Sequence, residues 1–168
     1  MGFTATGIST TTVTTDQQAP LGFELTVPTA NNGLQTWVYI FNDDAAAVTF
    51  VAGAVVYRDP SAATYDWYGA TVTPVTVHQP KVMCIGVAQH SIAAGSYGFV
   101  LKQGVGLILS GSAGATVDEP FCTGGDEVGS VITYADDASA FSANIGVIGH
   151  AGTAIGADTT GTAYISCG

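Results

Sequence analysis

Apolar and polar positions alternate along this chain in short runs, and no stretch repeats its apolar residues with the 3.6-residue period of an amphipathic helix. Thr, Val, Tyr and Phe dominate the runs, and these side chains suit a pleated, half-buried surface. The pattern predicts strands over residues 21–27, 35–41, 48–57, 67–77, 82–88, 97–102, 105–109, 128–134, 144–148 and 162–167. Turn residues separate them. Pro28-Thr29-Ala30-Asn31-Asn32-Gly33 divides the first two, Asn42-Asp43-Asp44 follows the second, and Gly104 divides the pair at 97–109. In Trp37-Val38-Tyr39-Ile40-Phe41 every residue is apolar or aromatic, so both faces of that strand are expected to be covered. Gly53 is a bend within 48–57, and Pro74 places 67–77 at an edge or a bulge. Residues 135–140 hold at most one helical turn. The fold class is therefore all-β, a small barrel or sandwich of short antiparallel strands. Residues 1–20, Thr-rich and poor in anything to bury, form an extended N-terminal arm on a single β-rich domain, 21–168.

Two sub-regions, 21–80 and 81–168, differ in composition. Residues 1–85 hold six glycines and residues 86–168 sixteen, while five of the six prolines and both tryptophans lie in the first part. There is also an internal echo. Ile85-Gly86-Val87-Ala88-Gln89-His90 leads through Gly95 to Gly98-Phe99-Val100-Leu101. Ile145-Gly146-Val147-Ile148-Gly149-His150 leads through Gly156 to Gly161-Thr162-Ala163-Tyr164-Ile165. Each reads as strand, turn, strand, and this alignment puts His90 and His150 in equivalent turns.

Charge narrows the function classes. Only 10% of the 168 residues are charged, and Arg58, Lys81 and Lys102 face thirteen Asp and Glu, for a net charge of −10. Three cations cannot neutralise a row of phosphates, so nucleic acid is excluded as a partner. Anionic membrane surfaces are disfavoured for the same reason. The longest uncharged stretch, residues 138–157, is interrupted by four glycines, Asn144 and His150, which makes it a poor membrane span. No basic, then apolar, leader opens the chain, and synthesis in a cytoplasm is expected. Cys84, Cys122 and Cys167 are odd in number and lack C-x-x-C spacing, so buried thiols are expected instead of a disulfide framework or a Cys-based zinc site.

Gly86-Val87-Ala88, Ala94-Gly95, Tyr97-Gly98-Phe99-Val100 and Gly104-Val105 together resemble a pattern found in small virion proteins of tailed bacteriophages, several of which are capsid decoration, or cement, proteins. The resemblance covers residues 82–110, with weaker support over 144–167, and leaves 1–80 outside it. It implies a β module seated on the outside of an icosahedral shell, commonly as a homotrimer, with the major capsid protein as partner. It also implies an arm that runs along the capsid or clasps a neighbour. It brings no catalytic residue and no cofactor. Thr10, Thr11, Thr12 and Val13 on the arm, with Trp67 and Tyr68, are the candidate interface residues.

Other chemistry is thinly represented. Asp43-Asp44, Asp118-Glu119, Asp126-Glu127 and Asp136-Asp137 are paired acids in turn contexts, without the spacing of a calcium loop, and read as solvated loop charges. His78, His90 and His150 form no metal-binding pair along the chain, although a three-fold axis would gather three copies of one of them. No acid, base and nucleophile set emerges, and the chain reads as non-enzymatic. The competing reading is a receptor- or glycan-binding module of a phage fibre or bacterial adhesin, with Trp37, Trp67 and the tyrosines as the sugar platform.

Overall fold

The computed structural model describes residues 7–44, 46–59, 68–72, 81–123, 128–134 and 146–167. The described residues form ten strands: β1 (Glu24–Thr29), β2 (Gly33–Asn42), β3 (Val55–Arg58), β4 (Gly69–Thr71), β5 (Cys84–Ala88), β6 (Tyr97–Leu109), β7 (Pro120–Thr123), β8 (Val131–Thr133), β9 (Val147–Ala151) and β10 (Thr160–Ser166). One 3-10 turn, Lys81–Met83, precedes β5. The all-β class expected from the alternation is the class observed, in one mostly antiparallel ten-stranded sheet.

The sheet closes on itself twice. β2, β4, β3, β5 and β6 pair in that order, and β6 pairs again with β2, completing a five-stranded ring. The β2–β4 contact is parallel and the others are antiparallel. Beyond this ring, the second half of β6 pairs with β10, then β9, β7 and β8 follow. A parallel bridge between Ser110 and Val131 returns the circuit to the end of β6, with the Gly111 N–H donating to the Val131 carbonyl at 3.0 Å. Two five-stranded rings thus share one long strand. β1 lies outside the first ring, antiparallel to the N-terminal half of β2.

The two rings are copies of one plan. Taken in chain order, β2, β3, β4, β5 and the first half of β6 correspond to the second half of β6, β7, β8, β9 and β10. The correspondence extends to single bonds. Val55, Val56 and Tyr57 pair with Val87, Gly86 and Cys84, with a bulge after Val56. Pro120, Phe121 and Cys122 pair with His150, Gly149 and Val147, with a bulge after Phe121. Phe50 exchanges two backbone hydrogen bonds with Ile92, and Ala115 does the same with Ile155. The left-handed residues recur as Gly53 and Asp118, and as Gly95 and Asp158. A Cβ on Gly98 would meet Ile92, and a Cβ on Gly161 would meet Ile155.

This register corrects the sequence echo. Residue 84 matches 147, so Ile85-Gly86 corresponds to Ile148-Gly149 and not to Ile145-Gly146. Ile-Gly occurs twice within five residues there, and the strand pairing selects the second copy. His90 therefore lies in the turn after β5, whereas His150 lies on β9. They are not equivalent, and the match to His150 is Val87.

Other differences from the pattern have local causes. The strands predicted at 97–102 and 105–109 are one strand, because Gly104 takes φ +121° and lets pairing continue without a turn. β7 begins at a proline and spans four residues, too short to show alternation. Of 48–57 only the part after Gly53 is strand. Of 67–77, Gly69–Thr71 is strand, and Trp67 and Pro74 lie outside the described residues. The composition changes at residues 80–81, while the seam between the rings lies further on, inside β6.

Packing follows strict alternation. Val38, Ile40, Val56, Ala70, Val72, Ala88, Ile92 and Val100 fill the first ring. Their counterparts Ile108, Phe121, Val131, Ala151, Ile155 and Ala163 belong to a second cluster, which also takes in the outer face of the first ring through Trp37, Tyr39, Val55, Tyr57, Val87, Phe99 and Leu101. That outer face is buried because Phe23, Leu25 and Val27 on and before β1, and the second ring, lie against it.

Close approach makes some glycines obligatory. A Cβ on Gly149 would clash with the Tyr164 carbonyl oxygen and the Phe121 ring, whereas one on Gly152 meets nothing within 4 Å. Gly149→Ala is expected to cost roughly 1–3 kcal/mol or more in chemical denaturation, and Gly152→Ala to stay within about 0.5 kcal/mol of the parent.

Candidate interaction surfaces

The N-terminal arm is bound to its own chain over residues 7–20. Thr14 exchanges two backbone hydrogen bonds with Tyr97, at 3.1 and 2.7 Å, and the Gln18 N–H donates to the Tyr39 hydroxyl at 3.0 Å. Ile8 packs on the larger cluster and Val13 on the first-ring core. Thr11 and Thr12 are exposed, while Thr10 and Val13 are half-buried. Tyr68 is also half-buried. Arg58 stands 4.9 Å over its ring, and a Cβ on Gly22 would lie 2.5 Å from it.

Val13 and Tyr68 come to the same end of the first ring. The Tyr68 carbonyl accepts from the Phe41 N–H, Phe41 pairs with Tyr97, and Tyr97 bonds Thr14. This end therefore presents exposed threonines, Tyr97 and Tyr68 on a hydrogen-bonded base. Trp67 lies outside the described residues. Trp37, assigned to a sugar platform by the competing reading, is 6% exposed, and its indole N–H is buried without an acceptor. It is a core residue.

The first acidic pair is not a solvated turn. Asp44 is buried, accepting from the Thr71 hydroxyl at 2.6 Å, the Val72 N–H at 3.2 Å and the Ala46 N–H at 2.9 Å. Asn42 beside it donates to the Val48 and Ile92 carbonyls, both at 2.9 Å. Together they tie the loop after β2 to β4 and to the β5–β6 turn. Burial and then Asp59 push the Asp43 carboxyl above its ordinary range. Asp118 and Glu119 are exposed, as expected, and the other two pairs lie outside the described residues. No three His, Cys, Asp or Glu gather to hold a metal among the described residues. No helix among them is long and apolar enough to cross a membrane.

The three cysteines are free and buried. Burial pushes Cys122 up to about 11 and Cys167 up to about 12, with Lys81 and Lys102 opposing the rise at Cys167. Burial raises Cys84 strongly as well, with Cys167 beside it adding to the rise. Burial holds these thiols in the protonated, weakly nucleophilic form.

Two concave surfaces occur at the second ring. An apolar cleft of about 320 Å³ lies at the seam between Val51, Leu109 and Val128, with little polar lining. A wider hollow of about 550 Å³ lies on the outer face of β7, β9 and β10, between Lys81, Asp118, Val147, His150, Tyr164 and Ser166. Strand register aligns Pro120, His150, Tyr164 and Val105 in one row across β7, β9, β10 and β6, with Leu107 and Thr162 in the next. Tyr164 lies tilted against His150 with ring centres 5.8 Å apart and accepts from Gln103 at 3.2 Å. Sequence reasoning missed this face. Thr162 and Tyr164 alternate along β10, but that their side of the sheet is exposed among the described residues is visible only in the structure. Comparison with protein-family models, curated proteins and solved structures finds no match to this chain.

Two measurements check the electrostatics. A thiol reagent at pH 8 is expected to leave all three cysteines unmodified in the native chain and to label them as denaturant unfolds it. His90 is half-buried, neither ring nitrogen has a hydrogen-bond partner, and burial lowers its pKa from the ordinary 6.5. Neutral His90 therefore contributes its full stability above pH 6.5, and that contribution falls as acid protonates the unfolded chain first. Between pH 7.5 and pH 5, His90→Leu should lose less stability than the parent; an equal loss would assign the acid sensitivity elsewhere.

Proposed function

We propose that this chain is a structural virion protein that decorates or cements an icosahedral phage capsid. It binds the lattice of the major capsid protein as a homotrimer, on the outside of the shell, after synthesis in the host cytoplasm. The observation that carries this reading is the place of the phage-like residues. Gly86 to Val105 make up the β5–β6 hairpin, whose long strand belongs to both rings. Two of the pattern's four glycines sit where backbones meet: a Cβ on Gly86 would lie 2.7 Å from the Leu101 carbonyl oxygen, and one on Gly104 2.8 Å from that of Leu34. The resemblance thus includes residues at close backbone contacts of the strand shared by both rings.

The rest of the surface fits a cement role. Thr10, Thr11, Thr12, Val13 and Tyr68, with Trp67 next to it in sequence, offer contacts that are half apolar and half polar, the kind that joins pre-folded proteins. The −10 charge favours a partner with more basic patches and keeps free copies apart in solution. An arm bonded to its own ring carries little ordering cost into the contact.

The test is to add purified chain to expanded phage shells that lack a decoration protein. Saturable binding at a fixed ratio to the major capsid protein, with a higher melting temperature of the shell, is the expected result. A chain with no affinity for any shell, or one present in a dozen or fewer copies per particle, would overturn the assignment.

A further inference from the structure

The duplication allows one ring to be read against the other. In the first ring, the outward row Val55, Val87, Leu101 and Trp37 is covered, with exposures of 0, 0, 0 and 6%. The corresponding row of the second ring is Pro120, His150, Tyr164 and Val105. Here His150 is exposed, Tyr164 is 38% exposed, and Pro120 and Val105 are half-buried. The next row contrasts in the same way. Tyr39 and Phe99 are buried, while their counterparts Leu107 and Thr162 are exposed. Among the described residues, the second ring therefore bares a face that its own duplicate buries.

That face carries no formal charge on β6, β9 and β10. Its outward residues there are Gln103, Val105, Leu107 and Leu109, then Thr160, Thr162, Tyr164 and Ser166, and Val147 with His150. The charges in its hollow, Lys81 and Asp118, come from segments outside these strands. An uncharged, β-branched and aromatic centre with polar edges is the composition of a protein interface.

We infer that this face joins copies of this chain to one another. The distribution of charge selects that occupant. A basic partner would be drawn to the acidic loops, whereas two chains of −10 each approach most readily where the strands themselves present no acids and Asp118 is accompanied by Lys81 in the hollow. The contact does not repeat the internal packing of one ring on the other. Gly53 admits the Leu109 backbone at 2.7 Å from where its Cβ would be, but Asp118 stands at the matching position. The Val55 N–H donates to the Gly129 carbonyl at 2.7 Å, but Pro120 has no N–H to give. These two replacements block an endless stack of rings and leave the centre of the face for a closed contact. From strand spacing and rise, the four-strand patch covers on the order of 400 Å². This is about half of what a standard interface buries on each partner, so association is concentration-dependent in solution.

The experiment is sedimentation velocity on the full chain from about 1 to several hundred micromolar, with Thr162→Glu and Leu107→Glu on the face and Thr26→Glu on exposed β1 as a control of equal charge. The parent and Thr26→Glu should pass from monomer to a closed oligomer, and both face variants should stay monomeric over the range. Circular dichroism melts identify any variant that fails to fold, and the other face variant then decides. A parent that remains monomeric throughout overturns the inference, as do face variants that still associate. A Tyr164-dependent saccharide complex of a monomeric parent would do so too, giving the face a different occupant. The outcome is separate from shell binding: an oligomer with no affinity for shells would defeat the cement role and leave this contact standing.

Discussion

Everything in this molecule depends on one strand serving two rings. β6 is thirteen residues long, and it pairs with β2 and β5 through its first half and with β10 through its second. On a flat strand, residues 101 and 106 would lie roughly 17 Å apart and face opposite ways. Here a Cβ on Gly106 would run into the Leu101 side chain. The strand must coil sharply between them, and Gly104, at φ +121°, is the residue that permits it. With a side chain at 104 the backbone could not take this path beside Leu34, and the second ring would lose the wall on which β10 forms.

A repeated plan on a shared strand relates the differences between the two halves to their surroundings. Interior positions kept their character, as Ile40 and Ile108, Ile85 and Ile148, and Ile92 and Ile155 show, because each fills the same space in its own ring. Outward positions followed their surroundings. Val87 and Leu101 face other parts of the chain and stayed apolar, while His150 and Tyr164 face solvent and carry polar atoms. Even the left-handed turns follow this rule. Gly53 has backbone packed against it, whereas Asp118 has room for its carboxylate and tolerates the same conformation.

The strands were legible in the sequence wherever a run was long enough to alternate. β2, β5 and β10 were found close to their observed limits, and the all-β class followed from them. β7 was not, because four residues beginning with proline carry no period. The repeat was visible but misaligned by three residues, since Ile-Gly occurs at both 145–146 and 148–149 and only the ladder to β7 distinguishes them. The acids show the limit of local reading. Asp43-Asp44 looks like any turn, and nothing nearby announces that Thr71, 27 positions on, donates to Asp44. The uncovered face was illegible for a related reason: exposure of Thr162 and Tyr164 depends on what fails to pack on them, and no sequence period records that.

The side chains of Gln35 and Gln89 have a role that reaches beyond the fold itself. Gln89 accepts from the Leu107 N–H and donates to the Leu107 carbonyl, at 2.7 and 3.0 Å, and Gln35 donates to the Val105 carbonyl at 2.6 Å. Along this stretch β6 has β10 on one side only, so its other edge would otherwise offer free amides and carbonyls to any extended chain. The two glutamines imitate the missing neighbour, one residue at a time. An edge filled in this way is closed to strand exchange and fibre-like stacking.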